Sequence, residues 1–300
     1  MQARTALERS ENPVRPLLKW AGGKTRLIPQ YKPYFPNRGV VYYEPFAGGG
    51  AVFLYLASRG LVKKAFLNDL NTELVNLYTV VRDEPEELIE RACAMRDYYL
   101  GLDGAGRAEF YYDTRQAYNR ECPASPAARA AMTVFLNKTC YNGLYRVNSK
   151  GEFNVPAGRY KSPSIVEPEN VRLFSALLRE TEAEIGNDDF DDSVANAARG
   201  DFVYYDPPYR PISRTSHFTS YSANSFDDAE QERLAATFRK LAGRGVRQML
   251  SNSDPKNNDP DDNFFDDLYE GFTIKRVKAS RMINSRADKR GSVSELLITV

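Results

Sequence analysis

The chain has 300 residues, of which 42% are hydrophobic and 27% are charged, and its formal net charge is +1. This length fits one large α/β unit or a main domain that carries a smaller one, and the composition is typical of a soluble globular protein. No segment reaches the run of about 18 apolar residues that a membrane span requires. We therefore expect a cytoplasmic protein. Residues 1–15 lack the apolar core of a secretory signal and are expected to form a flexible tail.

Cysteine and histidine usage excludes several classes of enzyme. Cys93, Cys122 and Cys140 are odd in number and widely spaced, which argues against a disulfide framework and against a zinc site. His217 is the only histidine, so triad hydrolases and histidine-rich metal sites lose most of their support. We interpret His217 as a loop or packing residue.

The charges are unevenly distributed along the chain. Residues 138–161 hold five Lys or Arg against one acid, and residues 275–290 hold seven against one. Acidic residues gather at 188–192 and 254–270. Such segregation can place a basic face on a neutral protein, as contact with a phosphate backbone requires. The alternative is that both basic runs are ordinary solvated surface.

The first motif in chain order, Lys19 to Thr25, ends like a phosphate-binding P-loop. Leu18 stands where that motif requires glycine, so a nucleotide triphosphatase is disfavoured. A tight glycine turn beside Trp20 and Lys24 can still offer backbone N–H groups and a cation to a small anion such as a carboxylate.

The next segment has the order of a Rossmann-like nucleotide site. A strand at 40–43 runs into the glycine-rich turn Glu44 to Gly50, and a helix is predicted at 51–58. Phe53 replaces the third glycine of the dinucleotide fingerprint, which favours a ligand without a pyrophosphate. A second strand at 65–68 ends at Asp69, where an acid can accept both ribose hydroxyls. The alternative role for Asp69 is to cap a helix at 71–81.

Residues 86–141 are predicted to be helical, with interruptions at 101–106 and 123–126, and we interpret them as an inserted subdomain. They lead into a predicted β-hairpin at 141–160, whose turn is at 148–151. The hairpin is rich in Arg, Asn and Tyr and lacks an alternating apolar face. We therefore expect it to bury little and to read base edges in a groove.

Phe202 to Tyr209 is the stretch around which the chemistry is predicted. Its apolar start indicates a buried strand, which must end at Pro207 because proline cannot donate a ladder hydrogen bond. Asp206 and Tyr209 are then displayed at the strand tip, where open α/β sheets bind ligands. A simple strand stop explains the prolines but not the acid and the aromatic ring.

The polar segment 210–224 is long enough to predict a functional loop. A capping box at 225–228 predicts a helix at 229–241. Further strands are predicted at 246–251, 272–278 and 295–300, and the acidic stretch between the first two is expected at the surface.

Four blocks together resemble the Dam-type DNA adenine N6-methyltransferases of the D12 class. They are Lys19 to Lys24, Glu44 to Gly50, the hairpin from Tyr141 to Tyr160, and Asp206 to Tyr209 with Phe218 to Tyr221. The resemblance covers nearly all of residues 16–300. It implies an α/β fold with a Rossmann-like S-adenosylmethionine-dependent methyltransferase sheet, formed by residues 16–82 and 165–300. It also implies that residues 83–164 are an inserted helical and β-hairpin subdomain that recognises the DNA target.

The resemblance assigns roles to individual residues. It implies that S-adenosylmethionine is bound by Trp20, Lys24, Phe46, Gly48, Gly50, Asp69 and Asp206. It implies catalytic roles for Asp206, Pro207 and Tyr209. It implies that DNA is contacted by Lys19, Tyr141, Asn142, Leu144, Arg146, Pro156 and Arg159.

The same resemblance implies double-stranded DNA as substrate, the palindrome GATC as target, S-adenosylhomocysteine as product and no metal. No membrane and no obligate protein partner are expected, and the chain is expected to act as a monomer or a weak dimer. The biological setting, whether restriction-modification, repair, regulation or a phage, is left open.

The chemistry required of this site follows from the substrate. An adenine N6 amine is a poor nucleophile because its lone pair is delocalised into the ring. If the Asp206 carboxylate and the Pro207 carbonyl accept its two hydrogens, the nitrogen can attack a sulfonium methyl group in line. A base within a duplex must first be flipped out, and we expect it to stack on Tyr209.

Two other functions are kept as alternatives. A methyltransferase that acts on a protein amide or a small amine would share the cofactor site, but it has no use for an Arg- and Asn-rich hairpin. A non-catalytic DNA-binding protein with an adenosine sensor site has no use for Asp206, Pro207 and Tyr209.

Overall fold

A computed structural model describes residues 13–120, 125–210, 226–280 and 292–300. Its centre is a seven-stranded sheet in the order β3-β2-β1-β4-β5-β7-β6. The strands are β1 (Val40–Glu44), β2 (Val62–Asn68), β3 (Glu184–Gly186), β4 (Phe202–Tyr205), β5 (Arg247–Ser253), β6 (Thr273–Ser280) and β7 (Ser292–Thr299). Strands β1 to β5 pair in parallel, and β7 is antiparallel to both β5 and β6. The predicted α/β fold with a Rossmann-like sheet is confirmed.

Helices pack on both faces of this sheet. In the described part of the chain they are α1 (Ile28–Tyr31), α2 (Ala51–Ala57), α3 (Thr72–Asp83), α4 (Pro85–Gly101), α5 (Gly104–Arg120), α6 (Pro126–Thr139), α7 (Pro168–Glu180), α8 (Phe190–Ser193), α9 (Asp228–Gly243) and α10 (Phe264–Leu268). None of them is long and apolar enough to cross a membrane.

Strand β4 shows why the sheet is covered on both sides. Successive side chains of a strand point to opposite faces. Phe202 and Tyr204 join the apolar cluster on one face, and Val203 and Tyr205 join the cluster on the other. All four are buried. A continuous apolar run is the pattern expected for a parallel strand covered by helices on both faces.

The order of strands reverses between β1 and β4, because β2 and β3 lie on one side of β1 while β4 and β5 lie on the other. Open α/β sheets bind ligands at such a switch point, beyond the carboxyl ends of the strands. The fold therefore directs the residues that follow β1, β2 and β4 toward one crevice.

A third apolar cluster lies among α4, α5, α6 and the segment 144–165, and includes Tyr99, Tyr111 and Phe135. Other residues of α4 and α6, such as Leu88 and Val134, belong to the core of the sheet. The helical insertion thus packs against the sheet as well as on itself. The domain boundaries at 83 and 165 stay a prediction.

Some local expectations differ from the structure. Helix α9 starts at Asp228 with Asp227 as its N-cap, whose side chain accepts a hydrogen bond from Glu230 N, and Ser225 of the predicted capping box lies outside the described residues. The acidic stretch 254–270 is only partly surface, since Asp254 is buried and ion-paired with Arg276. Arg15 was expected in the flexible tail, but its backbone N–H donates to Asn170 Oδ1 at 2.9 Å.

Candidate active site

Three carboxyl groups meet at the carboxyl edge of the parallel strands. Glu44 ends β1, Asp69 follows β2 and Asp206 follows β4. Because β1 pairs in parallel with both β2 and β4, these residues project at the same edge of the sheet. The sequence predicted Asp69 and Asp206 as site residues, but it did not predict that β2 and β4 both pair with β1.

Asp206 is held by two side chains from distant parts of the chain. Its Oδ2 lies 2.7 Å from Lys24 Nζ, and its Oδ1 accepts a hydrogen bond from Ser251 Oγ at 2.9 Å. Burial raises the pKa of Asp206, while the Lys24 ammonium and the Ser251 hydrogen bond oppose that rise. A carboxylate oriented in this way keeps lone pairs free to accept further hydrogen bonds.

Lys24 lies under the tight turn that precedes it and is only 3% exposed. Its ammonium contacts Asp206 and also donates to Gly22 O at 2.5 Å. Gly22 has φ +76, a conformation that favours glycine. Since an ammonium carries three N–H donors, these two contacts leave one donor for another acceptor.

Tyr209 is fixed from the opposite end of the chain. Its hydroxyl donates to Glu295 Oε2 on β7 at 2.6 Å, and Lys24 Nζ lies 4.8 Å from the centre of its ring. Burial raises the pKa of Tyr209 and of Glu295. The ring, Lys24 and Asp206 therefore form one contiguous group.

The glycine turn after β1 is held from three sides. Gly48 N donates to Asp69 Oδ2 at 2.9 Å, and Gly48 O accepts from the Tyr78 hydroxyl at 2.5 Å. Gly48 has φ +48, and a Cβ there would lie 3.0 Å from the Trp20 ring. Gly50 is also left-handed and faces Tyr78. A side chain at either position would crowd the Trp20 ring or the Tyr78 hydroxyl, so both positions require glycine.

Asp69 stabilises the glycine turn and does not cap the following helix. Its two carboxylate oxygens accept from Gly48 N and Asn71 N, each at 2.9 Å. The cap of α3 is Asn71, whose side chain accepts from Glu73 N. Burial raises the pKa of Asp69, and both backbone hydrogen bonds oppose the rise. The cap interpretation is wrong, and the ribose role stays a prediction.

Phe46 belongs to an aromatic group beside the glycine turn. Its ring centre lies 5.5 Å from that of Phe190 and 5.6 Å from that of Phe226. Asp188, two residues before Phe190, forms two backbone hydrogen bonds of 2.8 Å with the Asn68 side chain at the end of β2. The acidic stretch 188–192 thus lies at the edge of the crevice.

The hairpin is irregular and buries more than the sequence indicated. Its arms are joined by the isolated antiparallel bridges Val147↔Phe153 and Cys140↔Ala157. Tyr145, Phe153 and Val155 are buried, so the expectation of little burial was wrong. They pack against α5 and α6, and the Tyr111 hydroxyl donates to Val155 O at 2.8 Å.

Most of the residues predicted to contact DNA lie on the outer side of this hairpin. Leu144 is partly buried. The exposed ones are Tyr141, Asn142, Arg146, Pro156 and Arg159. Arg146 Nε donates to Asn154 Oδ1 at 2.7 Å, which orients its guanidinium. The structure therefore separates an inward apolar set from an outward polar set.

Asn137 of α6 joins the hairpin to the turn that carries Trp20 and Lys24. Its Oδ1 accepts from Lys19 N at 2.8 Å, and its Nδ2 donates to Lys19 O at 2.9 Å and to Gly143 O at 3.2 Å. Lys19 Nζ lies 4.6 Å from the centre of the Tyr160 ring. The predicted cofactor site and the predicted DNA-binding segment are thus in direct contact.

Comparison with protein families decides the identity. The family model described as D12 class N6 adenine-specific DNA methyltransferase matches residues 20–283. The chain belongs to this family. The predicted resemblance is confirmed, and the enzyme is an adenine-specific DNA methyltransferase.

Relatives of this D12 methyltransferase are similar along almost their whole length. The Type II methyltransferase M.MjaIII of Methanocaldococcus jannaschii is 47% identical, over 95% of this chain and 98% of the relative. The Type II methyltransferase M1.LlaDCHI of Lactococcus lactis subsp. cremoris is 38% identical, over 98% of both. The DNA adenine methylase of Escherichia coli (strain K12) is 35% identical, over 94% of both.

Similarity to a solved structure is weaker. The rRNA methyltransferase aviRa from Streptomyces viridochromogenes is 15% identical, with a TM-score of 0.37 over 98% of this chain and 94% of that one. A similarity that low supports no inference about the substrate of this D12 enzyme.

Several residues of this site were missed at the level of sequence: Glu44, Tyr78, Asn137, Ser251 and Glu295. Ser251 and Glu295 carried a usable signal, because each is a polar residue next to the apolar run of a predicted strand. The contact of Asn137 with Lys19 depends on how α6 packs against the turn at Lys19, and no local sequence pattern predicts that packing. The predicted loop with His217 and Phe218 to Tyr221 lies outside the described residues, as do residues 281–290 of the second basic run.

Proposed function

We propose that this D12 methyltransferase transfers a methyl group from S-adenosylmethionine to N6 of a flipped-out adenine in double-stranded DNA at GATC, with Asp206, Pro207 and Tyr209 as its catalytic residues. The observation that carries this proposal is the environment of Asp206 at the strand tip. Lys24 and Ser251 orient its carboxylate, and Tyr209 lies in the same group. An oriented carboxylate can accept a hydrogen of the adenine amine, which the reaction requires.

The residues around the glycine turn fit the cofactor. Left-handed Gly48 and Gly50 form a turn without side chains beside the Trp20 ring, and such a turn lets its backbone approach a ligand closely. Asp69 is placed to accept ribose hydroxyls with the lone pairs that its two backbone hydrogen bonds leave free. The remaining donor of Lys24 suits the methionine carboxylate, and Phe46 provides an apolar wall. When bound, S-adenosylmethionine supplies a sulfonium methyl group.

Asp206 and Pro207 act on the target amine. The Asp206 carboxylate and the Pro207 carbonyl accept its two hydrogens, which localises the lone pair on nitrogen and aims it for attack. Proton loss follows, to Asp206 or to water, since the methylated nitrogen is cationic and acidic. Tyr209 offers its ring as a stacking surface for the flipped base, and Glu295 prevents that ring from turning away.

Target recognition falls to the outer side of the hairpin in residues 83–164. Arg and Asn side chains pair with base edges in the major groove. Arg146 and Asn142 are exposed on the outer side of the hairpin. The proposed DNA-binding set also contains Lys19, Tyr141, Leu144, Pro156 and Arg159. GATC is proposed because these positions match those that the Dam-type enzymes use. The sheet of residues 16–82 and 165–300 is the proposed catalytic domain.

The biological setting is proposed from the relatives. Two of them, at 47% and 38% identity, are named Type II methyltransferases. Type II methyltransferases protect DNA within restriction-modification systems. We therefore propose a role in restriction-modification, with double-stranded DNA as the macromolecular partner.

Replacing Asp206 tests the catalytic assignment. The D206A enzyme is expected to bind DNA and S-adenosylmethionine while its methyl transfer rate falls about 10²–10⁴-fold, because the acceptor of the amine hydrogens is lost. Transfer of labelled methyl groups to DNA measures the rate, and thermal unfolding checks the fold. The matched control is Asp201→Ala at the other end of β4, which should retain the rate. Near-normal transfer by D206A would refute the assignment.

A further inference from the structure

The opposite edge of the sheet carries a repeated basic turn. An Arg-Gly pair precedes each of the four central strands: Arg38-Gly39 before β1, Arg59-Gly60 before β2, Arg199-Gly200 before β4 and Arg244-Gly245 before β5. Since these strands are parallel neighbours, all four pairs lie at one edge. It is the edge farthest from Asp206 and the glycine turn.

Three more cations complete this surface. We define the basic edge as Lys32, Arg38, Arg59, Lys63, Arg199, Arg244 and Arg247. All seven are exposed. Across the described ranges, none of them forms an ion pair with a carboxylate. Arg59, Arg244 and Arg247 donate to backbone carbonyl oxygens.

Contacts show that the basic edge is continuous. A Cβ at Gly39 would lie 3.0 Å from the Lys63 side chain and 3.5 Å from Gly60 O, which brings the first two turns together. Arg199 packs over Gly245 in the same way, at 3.3 Å. A cavity of about 420 Å³ is lined by Lys32, Arg59 and Arg247 with Phe35 and Tyr55, and it connects the two halves.

Local stability explains only part of this pattern. Basic residues favour the C-terminus of a helix, and glycine there adopts the left-handed conformation. That role accounts for Arg59 after α2 and Arg244 after α9. It does not account for Lys32, Lys63 or Arg247, and Arg38 and Arg199 do not follow a long helix.

Acidic residues flank the basic edge at both ends. Glu180 and Glu182 precede the outer strand β3, and Glu270 precedes the outer strand β6. Asp201 lies between the flanks, directly before β4, and one of its carboxylate oxygens accepts a hydrogen bond from Ala198 N. The four central strands span roughly 15 Å at about 4.8 Å between neighbours. Over that length a DNA duplex carries about nine phosphate charges.

We infer that the basic edge is a second DNA-binding surface, which holds the phosphate backbone of a duplex segment other than the one being methylated. Exposed arginines without carboxylate partners are suited to phosphate, with which their planar guanidinium groups form paired hydrogen bonds. No exposed aromatic row or Asn-rich loop accompanies these arginines in the described residues, so the contact is independent of base sequence.

A single straight duplex cannot occupy both surfaces. We call the opposite edge, where Asp206 and the glycine turn lie, the catalytic edge. The central strands are four to seven residues long, so roughly 13–23 Å of sheet separates the basic edge from the catalytic edge. The two edges also face opposite directions. Because DNA is stiff over about 150 base pairs, the second surface takes a separate or looped segment. An enzyme that holds two segments can pass from one to the other without complete dissociation.

The test uses three cations of the basic edge that donate no hydrogen bond in the structure, in the triple variant R38Q/K63Q/R199Q. Immobilised GATC duplex of about 20 base pairs is saturated with enzyme, and capture of a second, fluorescent duplex without GATC is measured. Wild-type enzyme is expected to capture it, and the triple variant is expected to capture at least about tenfold less. The salt dependence of binding to the second duplex should fall in slope by about 2–3, at roughly 0.9 per phosphate contact.

The matched control, R91Q/R96Q/R172Q, removes the same charge from arginines of α4 and α7 that are paired with acids. It should capture the second duplex like wild type. Both variants should methylate a short single-site duplex within about a factor of two of wild type, because none of the six residues belongs to the proposed catalytic, cofactor-binding or DNA-binding sets. Failure of the wild-type enzyme to capture the second duplex would overturn the inference, and so would equal capture by the two triple variants. These outcomes leave the proposed function untouched, because methyl transfer to the short duplex is measured separately.

Discussion

At the scale of single residues, the catalytic edge is a group of charges that hold one another in place. Lys24 neutralises Asp206, Ser251 donates to it, and Glu295 anchors Tyr209. Ser251 Oγ also lies 2.9 Å from the Tyr204 hydroxyl, so that a chain of hydroxyl groups ends at Asp206. Lys24 and Ser251 therefore adjust how readily Asp206 accepts a hydrogen bond.

Removing the Ser251 hydroxyl is expected to change the pH dependence of catalysis. The hydrogen bond from Ser251 lowers the pKa of Asp206 against the effect of burial. In S251A that pKa rises, so Asp206 becomes protonated at a higher pH and the acidic limb of kcat moves to higher pH. The profile of kcat against pH, at saturating S-adenosylmethionine and DNA, measures this movement.

The control for that profile is Y204F, which removes the distal hydroxyl but keeps the bond from Ser251 to Asp206. Its acidic limb should move less than that of S251A. An unmoved limb in S251A would show that Asp206 does not set the acidic side of the profile.

At the scale of elements, the sequence predicted six of the seven described strands and the glycine turn, because buried parallel strands are apolar runs and their ends are marked by Gly, Pro and acids. It missed β3, which is only three residues long and has no buried residue. The hairpin was predicted at the right place with the wrong packing. From the local sequence, Tyr145 and Phe153 were expected to be exposed among polar residues, but they pack against apolar residues of α5 and α6. Local sequence reports the turn of a hairpin but not the helices on which it lies.

Asn137 tests whether the contact between the hairpin and the turn of Lys19 matters for recognition. In N137L the three hydrogen bonds of a buried side chain are lost, at about 1–3 kcal/mol for each buried group left unsatisfied. We expect kcat/KM for cognate DNA to fall by at least about tenfold and the preference for GATC over single-base variants to weaken, because Lys19 and Gly143 lose their common anchor. Steady-state kinetics on matched duplexes measures both.

A control for N137L must lose stability without touching this contact. Leu241→Ala removes a buried side chain from α9 and is expected to destabilise the fold by about 2–5 kcal/mol. At a temperature where both variants are folded, Leu241→Ala should keep its preference for GATC. If both variants lose preference equally, Asn137 acts only through stability.

At the scale of the whole molecule, a chain of net charge +1 separates its charges into distinct surfaces. The catalytic edge contains acids and one buried lysine, the outer side of the hairpin is polar and basic, and the basic edge lies at the far side of the sheet. The family and the order of its motifs were readable from sequence because each motif is local. The contacts between Tyr209 and Glu295, and between Lys24 and Asp206, join residues 86 or more positions apart, so only the fold reveals them.

The central claim is tested most directly by transfer of labelled methyl groups from S-adenosylmethionine to two duplexes that differ only at the target, one with GATC and one with a single base pair of it changed. The account predicts that N6-methyladenine forms in the GATC duplex. It predicts slower transfer to the other duplex by at least about fivefold, since each changed base pair costs roughly 1–3 kcal/mol. Equal transfer to both duplexes would contradict the proposed specificity, and the absence of N6-methyladenine from both would contradict the proposed function itself.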